Sequence, residues 1–161
     1  MKLYHGSNIV VDQPTVDKGK PFKDFGQGFY LSDNLEQAME MAERVVERVG
    51  AKQTPVVTTF EFDEFAMTDG SLEVKRFETY SEEWAEFVLR NRDRKTPQPY
   101  HKYDIVYGPI ADDGIVRQMR RFEMGAITLK ELMQELQYPP KITFQYFFGS
   151  ERALEKLKFL C

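Results

Sequence analysis

Residues 142–160 read Ile-Thr-Phe-Gln-Tyr-Phe-Phe-Gly-Ser-Glu-Arg-Ala-Leu-Glu-Lys-Leu-Lys-Phe-Leu. The β-branched and aromatic run predicts a strand over 142–148, Gly149-Ser150 turns the chain, and the following stretch predicts a short helix over 151–160. Strands and helices elsewhere neither alternate strictly nor segregate. The reading is therefore an α+β fold, with a split, mixed, largely antiparallel sheet flanked by helices.

Working outward, residues 2–5 predict a strand stopped by Gly6-Ser7-Asn8, and residues 12–23 carry Pro14, Gly19 and Pro21 without periodicity, as a loop does. Residues 29–31 form a brief apolar strand. Ser32-Asp33-Asn34 offer caps to a helix over 35–49 that Gly50 stops. Leu35, Ala38, Met41, Ala42, Val45, Val46 and Val49 recur there at helical spacing and predict one buried face. Residues 55–65 read as a strand interrupted at Asp63-Glu64. Ser81 caps a second helix with Trp84, Phe87 and Val88 facing inward, joined by Leu89 or Arg90. A polar loop covers 91–99, and a strand over 103–107 is broken by Gly108-Pro109. Residues 112–122 fit loop or helix, 128–136 form a helix with a Thr128-x-x-Glu131 capping box, and Pro139-Pro140 force a turn. Internal repeats and low-complexity tracts are absent from the sequence.

With 161 residues, 42% hydrophobic and 30% charged, the chain is expected to form one globular domain over 1–161. A net charge of -4 argues against a broad nucleic-acid footprint. The basic clusters Arg90, Arg92, Arg94, Lys95 and Arg117, Arg120, Arg121 read as solvated helix faces. Cys161 is the one cysteine, so no internal disulfide is expected. His5 and His101 lie far apart with no cysteine pair, which offers no metal-ligand spacing and predicts no metal. His101 itself reads as a surface residue. No apolar run reaches a membrane span, and strand-like sequence from Lys2 onward leaves no room for a signal peptide, so a cytoplasmic protein without a membrane partner is expected.

Two short segments place a polar or aromatic group beside glycine: Tyr4-His5-Gly6-Ser7 and Phe25-Gly26-Gln27-Gly28-Phe29-Tyr30. Glycine lets a ligand approach the backbone closely, so that main-chain N–H and C=O can hold a primary amide, and a neighbouring aromatic ring can stack on the ligand. Each segment alone also reads as an ordinary tight turn. The glycines do not form the phosphate-cradling or dinucleotide fingerprints of other nucleotide-binding folds.

Taken in order, these segments resemble the ADP-ribosyltransferase superfamily, in the His-Tyr-Glu branch that includes diphtheria-type toxins and poly-ADP-ribose polymerases. A nearer resemblance is to an uncharacterised bacterial family of that fold. It is carried by Tyr4-His5-Gly6-Ser7, the run Phe25 to Leu31, the run Asp104 to Asp113, and Gln145-x-x-Phe148 ahead of Arg152-Ala153-Leu154. These matches spread over nearly the whole chain.

The resemblance implies NAD as co-substrate. His5 would bond a ribose hydroxyl, the backbone of Gly6 would clamp the nicotinamide amide, and Tyr30 would stack on the ring, with Ser7, Phe25 and Gly28 completing the binding segments. Met41 stands where relatives often carry a second aromatic, but its helical register favours plain core. The position of the catalytic glutamate holds Gln145, as it does in the bacterial family. An amide can keep a hydroxyl bond yet lacks the charge, and a unit charge about 4 Å away is worth roughly 4 kcal/mol at an effective dielectric near 20, about a thousandfold in rate. Asp112 and Asp113 are the candidate substitutes, with an Asx turn around Gly114 as the alternative; Glu151 and Glu123 follow. The function implied is transfer of ADP-ribose to a macromolecular acceptor, protein or nucleic acid, as by a bacterial toxin or phage-defence effector with an antitoxin partner. The alternatives are a non-catalytic NAD- or ADP-ribose-binding module and an interaction domain whose glycines only make turns.

Overall fold

The computed structural model describes residues 1–50, 52–137 and 141–161. In chain order the elements are β1 (Lys2–Ser7), β2 (Phe29–Leu31), α1 (Leu35–Val49), β3 (Val56–Phe62), a 3-10 turn (Glu64–Met67), β4 (Val74–Arg76), α2 (Glu82–Arg92), β5 (Ile105–Pro109), α3 (Asp113–Glu123), α4 (Leu129–Leu136), β6 (Phe144–Phe148), α5 (Glu151–Leu154) and β7 (Leu157–Phe159). They build two sheets, ordered β1-β3-β7 and β2-β6-β5-β4, and only the β4-β5 pair is parallel. The α+β class and the largely antiparallel sheet are as expected. The Tyr4 N–H donates to the Ser32 carbonyl at 2.7 Å and the Ser32 N–H returns a bond at 2.9 Å, which ties the two sheets together.

The apolar run Tyr146-Phe147-Phe148 of β6 follows from burial on both faces. Tyr146 and Phe148 enter a core with Leu3, Phe29, Phe60, Phe62 and Ile105, while Phe147 turns to a second core with Phe25, Trp84, Val88, Val106 and Leu132 beneath the helices. Trp84, Phe87 and Val88 point inward from α2 as expected, with Leu89 half-buried and Arg90 exposed.

Helix α1 keeps its expected bounds, with the Asn34 side chain accepting from the Gln37 N–H and Gly50 at the C-cap. Its buried face is narrower than the spacing implies. Ala38 and Ala42 are buried, whereas Leu35, Met41 and Val49 are exposed, so Met41 is not a core residue. The reason is close approach: a Cβ at Gly6 would lie 1.9 Å from the Ala38 carbonyl oxygen, so helix and strand meet through small residues and the large ones flank the contact.

Other differences come from long-range pairing. The expected helix over 151–160 ends at Leu154, because Leu157–Phe159 finds the free edge of β3 and pairs Phe60 with Phe159 and Phe62 with Leu157. Strand β1 runs through Gly6 to Ser7 opposite Val57 and Val56. Val74–Arg76, unforeseen as a strand, pairs with β5, and α2 extends to Arg92 into the expected loop. Residues after Asp112 resolve as helix α3, and the Thr128-Glu131 capping box is formed. The Pro139-Pro140 turn lies outside the described residues. Among the described residues no helix is long and apolar enough to cross a membrane.

Asp104, buried just before β5, pins this frame. Its carboxylate accepts from the Glu73 N–H at 2.7 Å, from Arg152 Nε at 2.8 Å and from the Ser150 hydroxyl, joining the strand edges to the turn after β6. Burial opposes its ionisation, but the bonds from Arg152, Ser150 and the Glu73 amide outweigh it and hold the carboxyl below its ordinary range. Asp104→Asn is expected to cost about 1.5–3 kcal/mol at neutral pH in urea unfolding. A depressed folded pKa gives stability that is complete above the unfolded value of about 3.9 and is lost as pH falls through the lower folded value. The gap between parent and variant should thus hold at mildly acidic pH and close in stronger acid; a gap independent of pH would exclude a role for the charge.

Candidate functional site

Alternation along β6 puts Gln145 and Phe147 on one face, and Tyr30 of β2 is the cross-strand partner of Phe147. Their rings meet edge to face at 5.2 Å. Tyr30 is anchored at both ends. Its hydroxyl donates to the Gly26 carbonyl at 2.7 Å and accepts from the Phe25 N–H at 3.0 Å, while its own main-chain carbonyl lies 2.8 Å from His5 Nδ1. The Lys23 ammonium lies over the Tyr30 ring, 4.8 Å from its centroid.

A carbonyl can only accept, so Nδ1 of His5 carries the hydrogen and Nε2 is left as an acceptor without a partner among the described residues. Burial lowers the His5 pKa, the bond to Tyr30 resists, and Lys23 adds to the lowering, which favours the neutral ring. Phe29 packs against that ring at 4.4 Å. Gly6 follows His5 on β1. Tyr4 turns its N–H and C=O toward Ser32, and the alternation of an antiparallel ladder turns those of Gly6 the same way, away from β3.

The carboxylate beside Gln145 belongs to Asp24, which the sequence reading did not single out. Gln145 Nε2 donates to Asp24 Oδ2 at 3.2 Å, the Ala111 N–H donates to the same oxygen at 3.2 Å, and Arg92 Nη1 reaches Oδ1 at 3.1 Å. Burial raises the Asp24 pKa, against the pull of Arg92, the Ala111 amide and Gln145. With its NH2 turned to Asp24, Gln145 keeps Oε1 free to accept.

The structure brings His5, Gly6, Tyr30 and Gln145 to neighbouring strands but gives Asp112 and Asp113 other work. Asp112 caps α3, its Oδ1 accepting from the Ile115 N–H at 2.9 Å, and Asp113 is the exposed acid of the first turn; the Gln145 amide bonds to Asp24, not to either of them. Ser7 ends β1 half-buried, with its hydroxyl directed to Asn8. Phe25 is wholly buried, so its side chain is core and only its main chain serves the loop. Gly28 is set by packing, since a Cβ there would lie 2.4 Å from the Phe147 ring. Arg92, read as part of a solvated basic run, is the counter-ion of Asp24. His101 is not a plain surface residue either, because both of its ring nitrogens are bonded to backbone. The signal for Asp24 was its place in the Asp24-Phe25-Gly26 run, directly ahead of a buried aromatic.

The family model described as protein of unknown function (DUF3990) matches residues 1–159. The chain belongs to the DUF3990 family. A comparison with curated proteins finds none that matches. Among the described residues no group of three or more His, Cys, Asp or Glu side chains is placed to hold a metal ion.

The pair of hydrogen bonds at the Tyr30 hydroxyl is testable alone. Tyr30→Phe strands the Gly26 carbonyl and the Phe25 amide and is expected to lower stability by about 1–3 kcal/mol. Urea unfolding reads the loss and hydrogen exchange reads the Phe25 amide. An unchanged midpoint with an equally protected amide would show that the hydroxyl does not hold the loop.

Proposed function

We propose that the protein is an NAD-dependent ADP-ribosyltransferase that moves ADP-ribose to a macromolecular acceptor and releases nicotinamide. The observation that carries this reading is the largely buried Asp24 carboxylate held against the Gln145 amide, on the sheet face that carries Tyr30. It supplies the negative charge that the amide at position 145 lacks.

The residues fit NAD in chemistry. A primary amide needs one donor and one acceptor from the backbone, and Gly6 turns both away from its strand partner. His5 Nε2 and Gln145 Oε1 are acceptors for ribose hydroxyls. The Tyr30 ring, fixed through its hydroxyl, is a stacking surface, and an occupant of the covered face takes the place of the Lys23 ammonium. In the transfer, the bond from ribose to the ring nitrogen breaks with its electron pair leaving on nicotinamide, the acceptor nucleophile bonds to the same ribose carbon, and its proton passes to solvent. A fixed carboxylate stabilises the positive charge that grows on the ribose as that bond lengthens. The reading carries with it a cytoplasmic setting, and the role of a toxin or phage-defence effector restrained by an antitoxin.

A second reading, a module that binds NAD or ADP-ribose without turnover, is favoured by Gln145 itself, whose neutral amide suffices to hold a hydroxyl. Nicotinamide release on incubation with NAD separates the two.

NAD is expected to raise the melting temperature. A ligand at 100 times its dissociation constant stabilises by about 2.7 kcal/mol, roughly 5–10 °C for a chain of this size. His5→Ala should abolish most of the shift, and an unchanged curve in millimolar NAD removes the proposal. Asp24→Asn should leave NAD binding nearly intact while slowing nicotinamide release on the order of a hundred- to a thousandfold; Asp112→Asn and Asp113→Asn should not slow it. Because burial raises the Asp24 pKa, the active carboxylate is lost as pH falls through a value above the ordinary aspartate pKa of about 3.9. The acid limb of the rate profile should lie above that value and move further up in Arg92→Met. An acid limb unmoved by Arg92→Met takes Asp24 out of the mechanism.

A further inference from the structure

Away from the Tyr30 site, an open cleft of about 310 Å3 lies between β4, α2 and the segment leading into β5. Its wall is aromatic. The buried ring of Phe87 lies 5.9 Å from Tyr100, 4.8 Å from His101 and 6.3 Å from Tyr103, and the rings of His101 and Tyr103 are 5.4 Å apart. Tyr100 is 39% exposed, a large apolar surface left open to solvent.

The histidine in this wall carries no charge. Its Nδ1 accepts from the Tyr103 N–H at 3.1 Å, so the ring hydrogen is on Nε2, which donates to the Phe25 carbonyl at 2.6 Å. A second proton would set an N–H against an N–H, and burial also lowers the His101 pKa, with the bond to Phe25 opposing. The rim, by contrast, is negative. Glu83 and Glu86 project one turn apart on α2; Lys75 pairs with Glu83, and Glu86 is exposed with no ion pair among the described residues.

We propose that this cleft binds the guanidinium of an arginine side chain presented by a protein partner. A guanidinium is planar and weakly hydrated, so it stacks on aromatic faces and offers a fork of N–H donors to a carboxylate. Tyr100, Tyr103 and neutral His101 supply the faces, and Glu86 supplies the carboxylate. A lysine ammonium is more strongly hydrated and loses more on leaving water. An anion meets the uncompensated Glu86 carboxylate, and a neutral ring leaves that carboxylate unpaired. The cleft is open, as a side chain arriving from another surface requires. The wall is linked to the loop that holds Tyr30 through Phe25, whose carbonyl is bonded by His101 and whose N–H is bonded by the Tyr30 hydroxyl.

The test needs no NAD, so its failure is separate from failure of the transferase reading. Blocked tripeptides Gly-X-Gly, with X as arginine, citrulline, lysine or trimethyl-lysine, are titrated into the whole protein while the ring resonances of Tyr100 and Tyr103 are followed by NMR. The arginine peptide is expected to give saturable shifts, and the citrulline peptide to bind on the order of tenfold more weakly. Glu86→Gln should weaken arginine binding roughly threefold with melting temperature unchanged, since Glu86 is exposed, and Tyr100→Ala should weaken it by a similar factor. Equal binding of citrulline and arginine, tighter binding of trimethyl-lysine, indifference to both substitutions, or no saturable shift would each overturn the proposal.

Discussion

The hydroxyl of Tyr30 bonds the Phe25 amide and the Gly26 carbonyl, and its main-chain carbonyl holds the ring of His5 on the other sheet. Much of the molecule turns on this residue because β2 is only three residues long, and a ladder so short fixes little by itself. The bridge between Tyr4 and Ser32 closes the same junction from the backbone side. Side-chain and main-chain bonds together make one rigid corner out of the first strand, the three-residue β2 and the loop that precedes it. Gly6 and Gly28 allow that corner to close, the first against α1 and the second against Phe147.

The second constraint is electrostatic. A carboxylate taken out of water is costly unless it is paired and hydrogen-bonded, and Asp24 has one cation and two N–H donors around it. This arrangement gives a physical reason for glutamine at position 145. A glutamate there would face Asp24 at hydrogen-bond distance, and two carboxylates so close cannot both ionise near neutral pH. The amide donates where a second carboxylate would repel, so the negative charge is carried by the loop before β2 and not by β6. The same loop meets the aromatic cleft through the Phe25 carbonyl, which places two chemically different surfaces on opposite sides of a few residues.

Local structure was largely readable from the chain. The bounds of α1, the caps at Asn34, Ser81 and Thr128, and strand β2 depend on side chains within a few residues of the backbone groups they satisfy. Edges were not readable. Leu157–Phe159 follows a helical turn in sequence and becomes a strand only because β3 offers an unpaired edge there. Likewise α1 exposes Met41, since closeness to Gly6 selects alanines for the contact.

For the site, the sequence alone determined that His5, Gly6, Tyr30 and Gln145 lie on or beside strands, because periodicity and glycine punctuation act locally. The tertiary structure alone decided which charges meet. Asp24 and Arg92 are 68 residues apart and Asp24 and Gln145 are 121 apart, with no local pattern to mark either pair. Asp112 looked free for chemistry and is spent on capping a helix whose existence the sequence left open. A charged side chain takes the partner that packing brings to it, and packing is a property of the whole chain.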